Sequence, residues 1–444
     1  MDGPGPAAPA RGLPVLGDRP VALPHPPSSL DEDPGGRSPR HGPGPVPGHG
    51  PPTPGPGLLR PGHLLRGRRL RGTQLRAGLY IHYPFCAGKC PYCHFYSVPW
   101  TAAGGRTWRE GLEREAEGTG CGGLAFDTVY LGGGTPSLLS GEEVAWIRDL
   151  ARTRFSLEIA EFTLEANPSS RAEDRLRGWR EAGVTRLSVG VQSFDDGTLR
   201  TLGRLYSGAE ALRFCRSARE AGFDALAVDL MIGVPGETAG TVGRTVEDLL
   251  AIGPDHVSLY FLENVEGLPF AKVLAKRPVD EDAAVENYER AKDALESAGV
   301  LQYEISNFAR PGKECRHNLK YWRYEPYVGL GPSACSHIGP ERWCNRESLE
   351  GWAEAIGRGG QARGETVELT PKLAAREALV FGLRLVRGVD VADLEERTGV
   401  NVCALYAREI DELASEGLLI QAGARLWIPA GKLLVSNAIL SRFI

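Results

Sequence analysis

The chain has 444 residues and a formal net charge of −5, so no bulk positive charge draws it to nucleic acid. Of the first 77 residues 33 are Pro or Gly, which leaves too little apolar surface to offset ordering, and residues 1–77 are expected to form a disordered tail. No run of about 18 apolar residues occurs, which excludes a spanning helix, and the tail lacks the apolar segment and cleavage site of an export signal.

The tail carries ten Arg against five acidic residues, a charge of +5, and leaves the body near −10. Its Arg66, Arg68, Arg69 and Arg71 have the look of a targeting segment, but Asp31, Glu32 and Asp33 oppose a transit peptide, which is normally acid-poor. From Leu79 onward short apolar runs alternate with helical patterns. Strands are predicted at Leu79–Tyr83, Thr128–Leu131, Glu161–Glu165, Arg186–Val191, Ala225–Met231 and Val257–Leu262. Amphipathic stretches such as Arg171–Glu181 and Gly208–Ala221 end on Ala-Gly stops at Gly183 and Gly222. Six βα units make an α/β fold and are too few for a complete eight-stranded barrel, so a partial (β/α)6 barrel is expected over residues 78–300.

Residues 301–350 are dense in aromatic and polar side chains with few helix signals and are expected to form a separate extension. Residues 351–444 read as helices followed by a hairpin, Leu418–Ile420 and Arg425–Ile428 about a turn at Ala422–Gly423, a winged-helix-like α+β cap. Glu409, Asp411, Glu412 and Glu416 make its helical part acidic, which disfavours DNA reading and favours a structural or partner-docking role.

Nine Cys, an odd number in a chain without an export signal, point to reduced thiols instead of a disulfide framework. Three of them, Cys86, Cys90 and Cys93, follow the first strand with the spacing Cys-x3-Cys-x2-Cys. A tight loop of this kind directs three thiolates at one centre, and a cluster held by only three thiolates keeps one iron open. A zinc knuckle completed by His94 or His82 is the competing reading; His94 directly abuts Cys93 and would strain to reach the same metal. Leu131-Gly-Gly-Gly-Thr135-Pro136-Ser137 closes the second strand, where glycines let backbone amides approach a ligand. Gly233–Gly236 are expected to shape the same ligand mouth. Glu165, Gln192 and Asp229 recur near the ends of apolar strands, a costly placement unless they are paired or face a cleft, and together they indicate a ligand-lined mouth.

Cys86-Ala-Gly-Lys-Cys90-Pro-Tyr-Cys93 resembles the signature of radical S-adenosylmethionine (SAM) enzymes. The resemblance implies a [4Fe-4S] cluster on Cys86, Cys90 and Cys93 whose open iron binds the amino and carboxylate groups of SAM, with electron transfer cleaving SAM to a 5′-deoxyadenosyl radical. Gly-Val-Pro-Gly-Glu-Thr at 233–238, Tyr303-Glu-Ile-Ser-Asn-Phe308 and His317-Asn-Leu-Lys-Tyr-Trp322 follow in that order. Over about residues 78–440 the chain resembles the coproporphyrinogen dehydrogenase-like branch, and within it the haem chaperones of the HemW type. That implies Tyr80, Gly134, Thr135, Glu165, Gln192, Arg204, Asp229 and Glu263 as SAM contacts, with Tyr92 beside the adenine.

The oxidases of this branch place a fourth Cys two residues beyond the third; here that residue is Phe95, which can neither ligate nor react. They also carry an N-terminal arm with its own motif, and the tail shows nothing like it. The segment His317–Trp322 matches the one linked to haem binding in the chaperones, which implies His317 as axial ligand, Cys315 as its rival, and Tyr321 and Trp322 as apolar faces for a porphyrin. The implied function is a haem chaperone carrying haem as cargo to haem-requiring membrane or respiratory proteins, served by an electron donor protein and forming a homodimer. Oxygen-independent coproporphyrinogen III dehydrogenase is the alternative. A cytoplasmic location, with peripheral association at the membrane, goes with the first. Tyr206 and Cys335 stand where relatives often have His, and His94 where Asp or Asn is usual; Cys121, Cys215, Cys344 and Cys403 read as incidental thiols.

Overall fold

The computed structural model describes residues 76–444 apart from 120, 122, 123 and 360. The expected tail lies outside the described residues, except that Arg76 and Ala77 already belong to the first strand. All six predicted strands form: β1 Arg76–Tyr83, β2 Ala125–Gly133, β3 Ser156–Ala166, β4 Arg186–Gln192, β5 Ala225–Ile232 and β6 His256–Phe261. They lie parallel and in chain order, each paired to the next.

Strand alternation assigns the two faces opposite jobs. Leu79 and Ile81, Phe162 and Leu164, Leu187, Val189 and Val191, and Leu226, Val228 and Leu230 point outward into the main apolar core. Helices Ala102–Gly118, Gly141–Arg154, Gly208–Glu220, Ala239–Ile252 and Glu281–Ser297 cover that face with Leu112, Ile147, Phe214, Leu249 and Leu295. Many inward positions are polar or small, including Glu165 on β3, Arg186, Ser188, Gly190 and Gln192 on β4, Asp229 on β5 and His256 and Ser258 on β6. The main apolar core therefore lies outside the strands, and the interior is left for a cavity into which these polar side chains project.

Helix stops fall at Gly183 and Gly222, whose φ of 96° and 77° are positive as a left-handed stop requires. The stretch Arg171–Glu181 is two helices, Ser170–Glu173 and Leu176–Glu181, not one. The break falls where the Arg175 guanidinium reaches away to donate to the Ser137 carbonyl at 2.8 Å.

Residues beyond β6 extend both edges of the sheet. On the β6 side stand β7 Leu301–Gln302 and β8 Asn307–Ala309, with β8 antiparallel to β6. On the β1 side stand β9 Tyr327–Leu330, β10 Cys335–Ile338, β11 Glu341–Asn345 and β12 Arg363–Glu368. Cys335 and Cys344 face each other across β10 and β11 with Cα atoms 3.9 Å apart and form a disulfide, which corrects the expectation that all thiols are reduced. Two Cys at opposed positions of an antiparallel pair are held close by the ladder itself, a proximity that spacing in the sequence does not reveal.

The C-terminal part has its own apolar cluster, including Leu379, Leu394, Leu413, Leu426 and Phe443. Helices Pro371–Gly382, Val391–Thr398 and Ala407–Ser415 pack with a three-stranded sheet of β13 Val389–Asp390, β14 Ile420–Ala422 and β15 Arg425–Trp427. The predicted hairpin is present, turning at Gly423 with φ 58°. Among the described residues no helix is long and apolar enough to cross a membrane.

Candidate functional site

A cavity of about 620 Å³ opens at the C-terminal ends of the strands and runs into their interior. The loop 86–93 forms part of its wall. Pairing of Phe85–Cys86 with Val98–Pro99 fixes where this loop begins, the Cys93 amide donates to the Cys90 carbonyl at 3.1 Å, and the Phe270 amide donates to the Pro91 carbonyl at 3.1 Å. All three Cys line the cavity and are partly exposed. Thr135 Oγ1 donates to Cys86 Sγ at 3.3 Å, and Arg204 Nη1 donates to Cys90 Sγ at 3.4 Å.

The triple glycine borders the cavity through Gly133 and Gly134 and also joins two backbone segments. The Gly134 amide donates to the Tyr83 carbonyl at 2.7 Å and the Thr135 amide to the Phe85 carbonyl at 2.8 Å, so these amides hold the entry to the Cys loop. A Cβ on Gly134 would sit 2.6 Å from the Phe85 oxygen, and Gly133 has a φ of 109°. Glycine is needed here because two backbone segments touch. Gly233–Gly236 likewise form a turn, in which the Gly233 amide donates to Glu237 at 2.8 Å; they do not line the cavity.

The remaining polar positions converge. Glu165 accepts from the Tyr130 hydroxyl at 2.8 Å and the Gly133 amide at 3.1 Å. Burial pushes its carboxyl up to about 7, and burial likewise pushes Asp229 up to about 6. Both sit near the point where a cationic ligand would draw off the proton. Gln192 adopts a φ of 70° and accepts from the Tyr260 hydroxyl at 2.6 Å. Arg204 anchors on the Gly190 carbonyl at 2.6 Å, while its Nε is buried without a partner. Tyr206 donates to the Gly190 carbonyl at 2.7 Å and so braces the end of β4. Tyr92, Gly134, Thr135 and Glu263 complete the same wall, and Tyr92 packs edge-on against Phe270.

Tyr80 and His317 are not brought to this wall. Tyr80 Oη lies 3.2 Å from His82 Nδ1, and the Tyr80 ring stacks on Tyr130. His317 is fully buried over Gly78, its Nδ1 2.8 Å from Thr128 Oγ1 and its Nε2 2.7 Å from the Tyr321 hydroxyl. Both ring nitrogens are committed, and burial lowers its pKa to about 3, so it is a neutral structural imidazole. As placed here it does not line the cavity, and both nitrogens that an axial ligand would use are in hydrogen bonds. Cys315 does line the cavity, with its Sγ 3.5 Å from Glu161 and its thiol pushed up by burial. His82, the rival zinc ligand, is turned to the Tyr96 carbonyl at 3.0 Å. Tyr130, Asn167, Tyr260 and Arg186 line the cavity without having been singled out from sequence; the alternation of polar with apolar residues inside β2 to β6 was the available signal.

These donors fit the group that the Cys spacing implies. Three sulfurs from one loop, two of them accepting protein hydrogen bonds, suit a cluster with one open iron. Glu165 and Asp229 suit a cationic ligand beside it, and the unpartnered Arg204 Nε suits a carboxylate.

Residues 80–249 match the model of the radical SAM superfamily, and residues 369–431 that of the HemN C-terminal domain. The protein named heme chaperone HemW from Bacillus subtilis (strain 168) is 32% identical over 373 residues, covering 82% of this chain and 98% of the relative. HemW from Mycobacterium tuberculosis (strain ATCC 25618 / H37Rv) is 34% identical, covering 82% and 93%. The mitochondrial radical S-adenosyl methionine domain-containing protein 1 of Bos taurus is 34% identical, covering 78% and 82%. The solved structure of coproporphyrinogen III oxidase (HemN) from Escherichia coli shares the fold, with a TM-score of 0.71 at 22% identity over 83% of this chain and 90% of that one. The chain belongs to the HemW family of radical SAM proteins.

Proposed function

We propose that this protein is a haem chaperone, which binds haem and passes it to haem-requiring respiratory or membrane proteins. The observation that carries the reading is the identity of 32% across 98% of a protein named for that activity. The residues that would hold a [4Fe-4S] cluster are Cys86, Cys90 and Cys93, with Arg204 and Thr135 tuning two of the sulfurs. SAM would lie along Tyr92, Gly134, Thr135, Glu165, Gln192, Arg204, Asp229 and Glu263. When bound, the cluster supplies the electron that SAM cleavage requires. Arg204 orients the ligand carboxylate, Glu165 and Asp229 balance its positive charge, and the Gly134–Tyr83 and Thr135–Phe85 hydrogen bonds keep the loop in register. An electron donor protein and a homodimer belong to this reading, and residues 301–350 form its cargo-binding extension.

The alternative, coproporphyrinogen III dehydrogenase, draws on the shared fold with HemN. Phe95 weighs against it, since a phenyl ring lines the cavity where the oxidases are expected to have a Cys. One anaerobic experiment separates the two: reconstitute the cluster, then measure stoichiometric haem binding and coproporphyrinogen turnover in the same preparation. Haem binding without turnover supports the chaperone; protoporphyrinogen formation without haem binding refutes it.

A further inference from the structure

The cavity continues past the residues that would hold the cofactors. Its deep end lies at the N-terminal ends of β4 and β6, where Arg186 and His256 face inward, and Arg186 is six residues, roughly 20 Å, along β4 from Gln192. Arg186, His256, Ser306 and Trp322 are 3%, 2%, 5% and 6% exposed. Each has one buried polar atom without a hydrogen-bond partner: Nη2, Nδ1, Oγ and Nε1. Folded proteins rarely leave such atoms unpaired, because each has given up its bonds to water. Four around the end of one cavity point to something that binds there.

The partners on the other side of each group show which way the open atoms face. Arg186 Nη1 donates to the Lys313 carbonyl at 3.0 Å and lies 3.9 Å from Glu161, leaving Nη2 for the cavity. His256 Nε2 pairs with the Tyr303 hydroxyl at 2.9 Å, leaving Nδ1. Trp322 carries the Arg384 guanidinium over its ring at 4.7 Å, which adds a second positive charge. The nearby carboxylates are already engaged: Glu161 accepts from the amides of Arg316 and His317 at 3.2 and 3.0 Å, and Glu304 accepts from Asn307 Nδ2. Guanidinium and indole N–H groups can only donate, so what they bind must accept. Asn307 Oδ1, an acceptor without a hydrogen-bond partner beside them, suits an accompanying water.

We infer that the N-terminal end of the barrel is an oxyanion site for a carboxylate, held by Arg186, Trp322, Ser306 and His256. The carboxylate comes either from a small free anion or from the propionate of a tetrapyrrole; the second source rests on the proposed haem-binding function, and the site itself does not.

The test uses the full chain with its cluster reconstituted anaerobically and with SAM saturating, so that the outer half of the cavity is filled. Calorimetric titration with formate is expected to give saturable binding at one per chain. Trp322→Phe, which keeps a ring and removes the N–H, weakens it by about tenfold, as does Ser306→Ala to a smaller extent. A second arm, run without SAM so that the mouth of the cavity is open, titrates protoporphyrin IX and its dimethyl ester against formate. Formate competing with the free acid but not with the ester assigns the site to a tetrapyrrole propionate, and no competition with either assigns it to a free anion. Absence of saturable formate binding, or formate affinity unchanged in both Trp322→Phe and Ser306→Ala, overturns the site and leaves a water-filled pocket. Haem binding measured on the same wild-type sample reports separately on the chaperone reading.

Discussion

Glu165→Gln probes the electrostatics that make the barrel interior a site. Burial raises the Glu165 carboxyl from its ordinary 4.5 to about 7, with the Tyr130 and Gly133 hydrogen bonds opposing the rise and Asp229 adding to it. That displacement favours the protonated form by roughly 3 kcal/mol, and water reaching the cavity lowers the figure. The folded chain therefore holds this proton more tightly than the unfolded one. The stability so contributed is complete below about pH 4.5 and is lost as the pH rises through about 7. Glutamine keeps an acceptor for the Tyr130 hydroxyl but turns an amide N–H toward the Gly133 amide, which costs about 1 kcal/mol. The variant is expected to be about 1 kcal/mol less stable than the parent at pH 4.5 and about 2 kcal/mol more stable at pH 8. Urea denaturation of the cofactor-free chains at both pH values, followed by circular dichroism, measures the difference. Comparing the two chains cancels the shares of Glu237 and Glu115, which burial also raises, while Asp229 loses the repulsion of Glu165 in the variant and shifts in the same sense as the main effect. A relative stability that stays flat between the two pH values, or falls, refutes the reasoning.

Three further outcomes are expected. Cys90→Ala abolishes the visible absorbance of the reconstituted cluster, and a fully loaded cluster in that variant overturns the ligand set. His317→Ala leaves the Thr128 and Tyr321 hydroxyls unpaired in the interior and lowers stability by roughly 2–4 kcal/mol, while haem affinity of the folded fraction, read by titration, stays unchanged; a selective loss of haem binding at full stability would restore His317 as a ligand. Replacing both Cys335 and Cys344 with Ser opens a loop with a sequence separation of 9 and lowers stability by about 2–3 kcal/mol under oxidising conditions only. Equal stability with and without reductant in the parent chain speaks against the pairing.

Much of the barrel was legible because its causes are local. Short apolar runs, Ala-Gly helix stops and a Cys-x3-Cys-x2-Cys loop involve residues a few positions apart, and the six strands lie where those runs put them, five of them longer and the sixth moved by one residue. The positions of Cys86, Cys90, Cys93, Thr135, Glu165, Gln192, Arg204 and Asp229 on one cavity wall follow from the fact that parallel strands bring all their C-terminal ends to one side. The backbone-joining role of the triple glycine was not legible, because it depends on carbonyls of Tyr83 and Phe85 that spacing alone does not place against it.

The sequence by itself determined the strand and helix pattern, the three-thiolate loop and the polar face of each strand, since all of these are set by neighbours along the chain. Only the tertiary structure decided what occupies the space between strands. Glu161 caps the helix Arg316–Trp322 from 155 and 156 residues away, and His317 loses its ring nitrogens to Thr128, 189 residues off, and to Tyr321. Cys335 meets Cys344 through a strand register, and Arg186, His256, Ser306 and Trp322 meet around one chamber. A side chain's chemistry is fixed by its type, but whether it is free to act depends on which partners folding brings within hydrogen-bond reach, and those partners are distant in sequence.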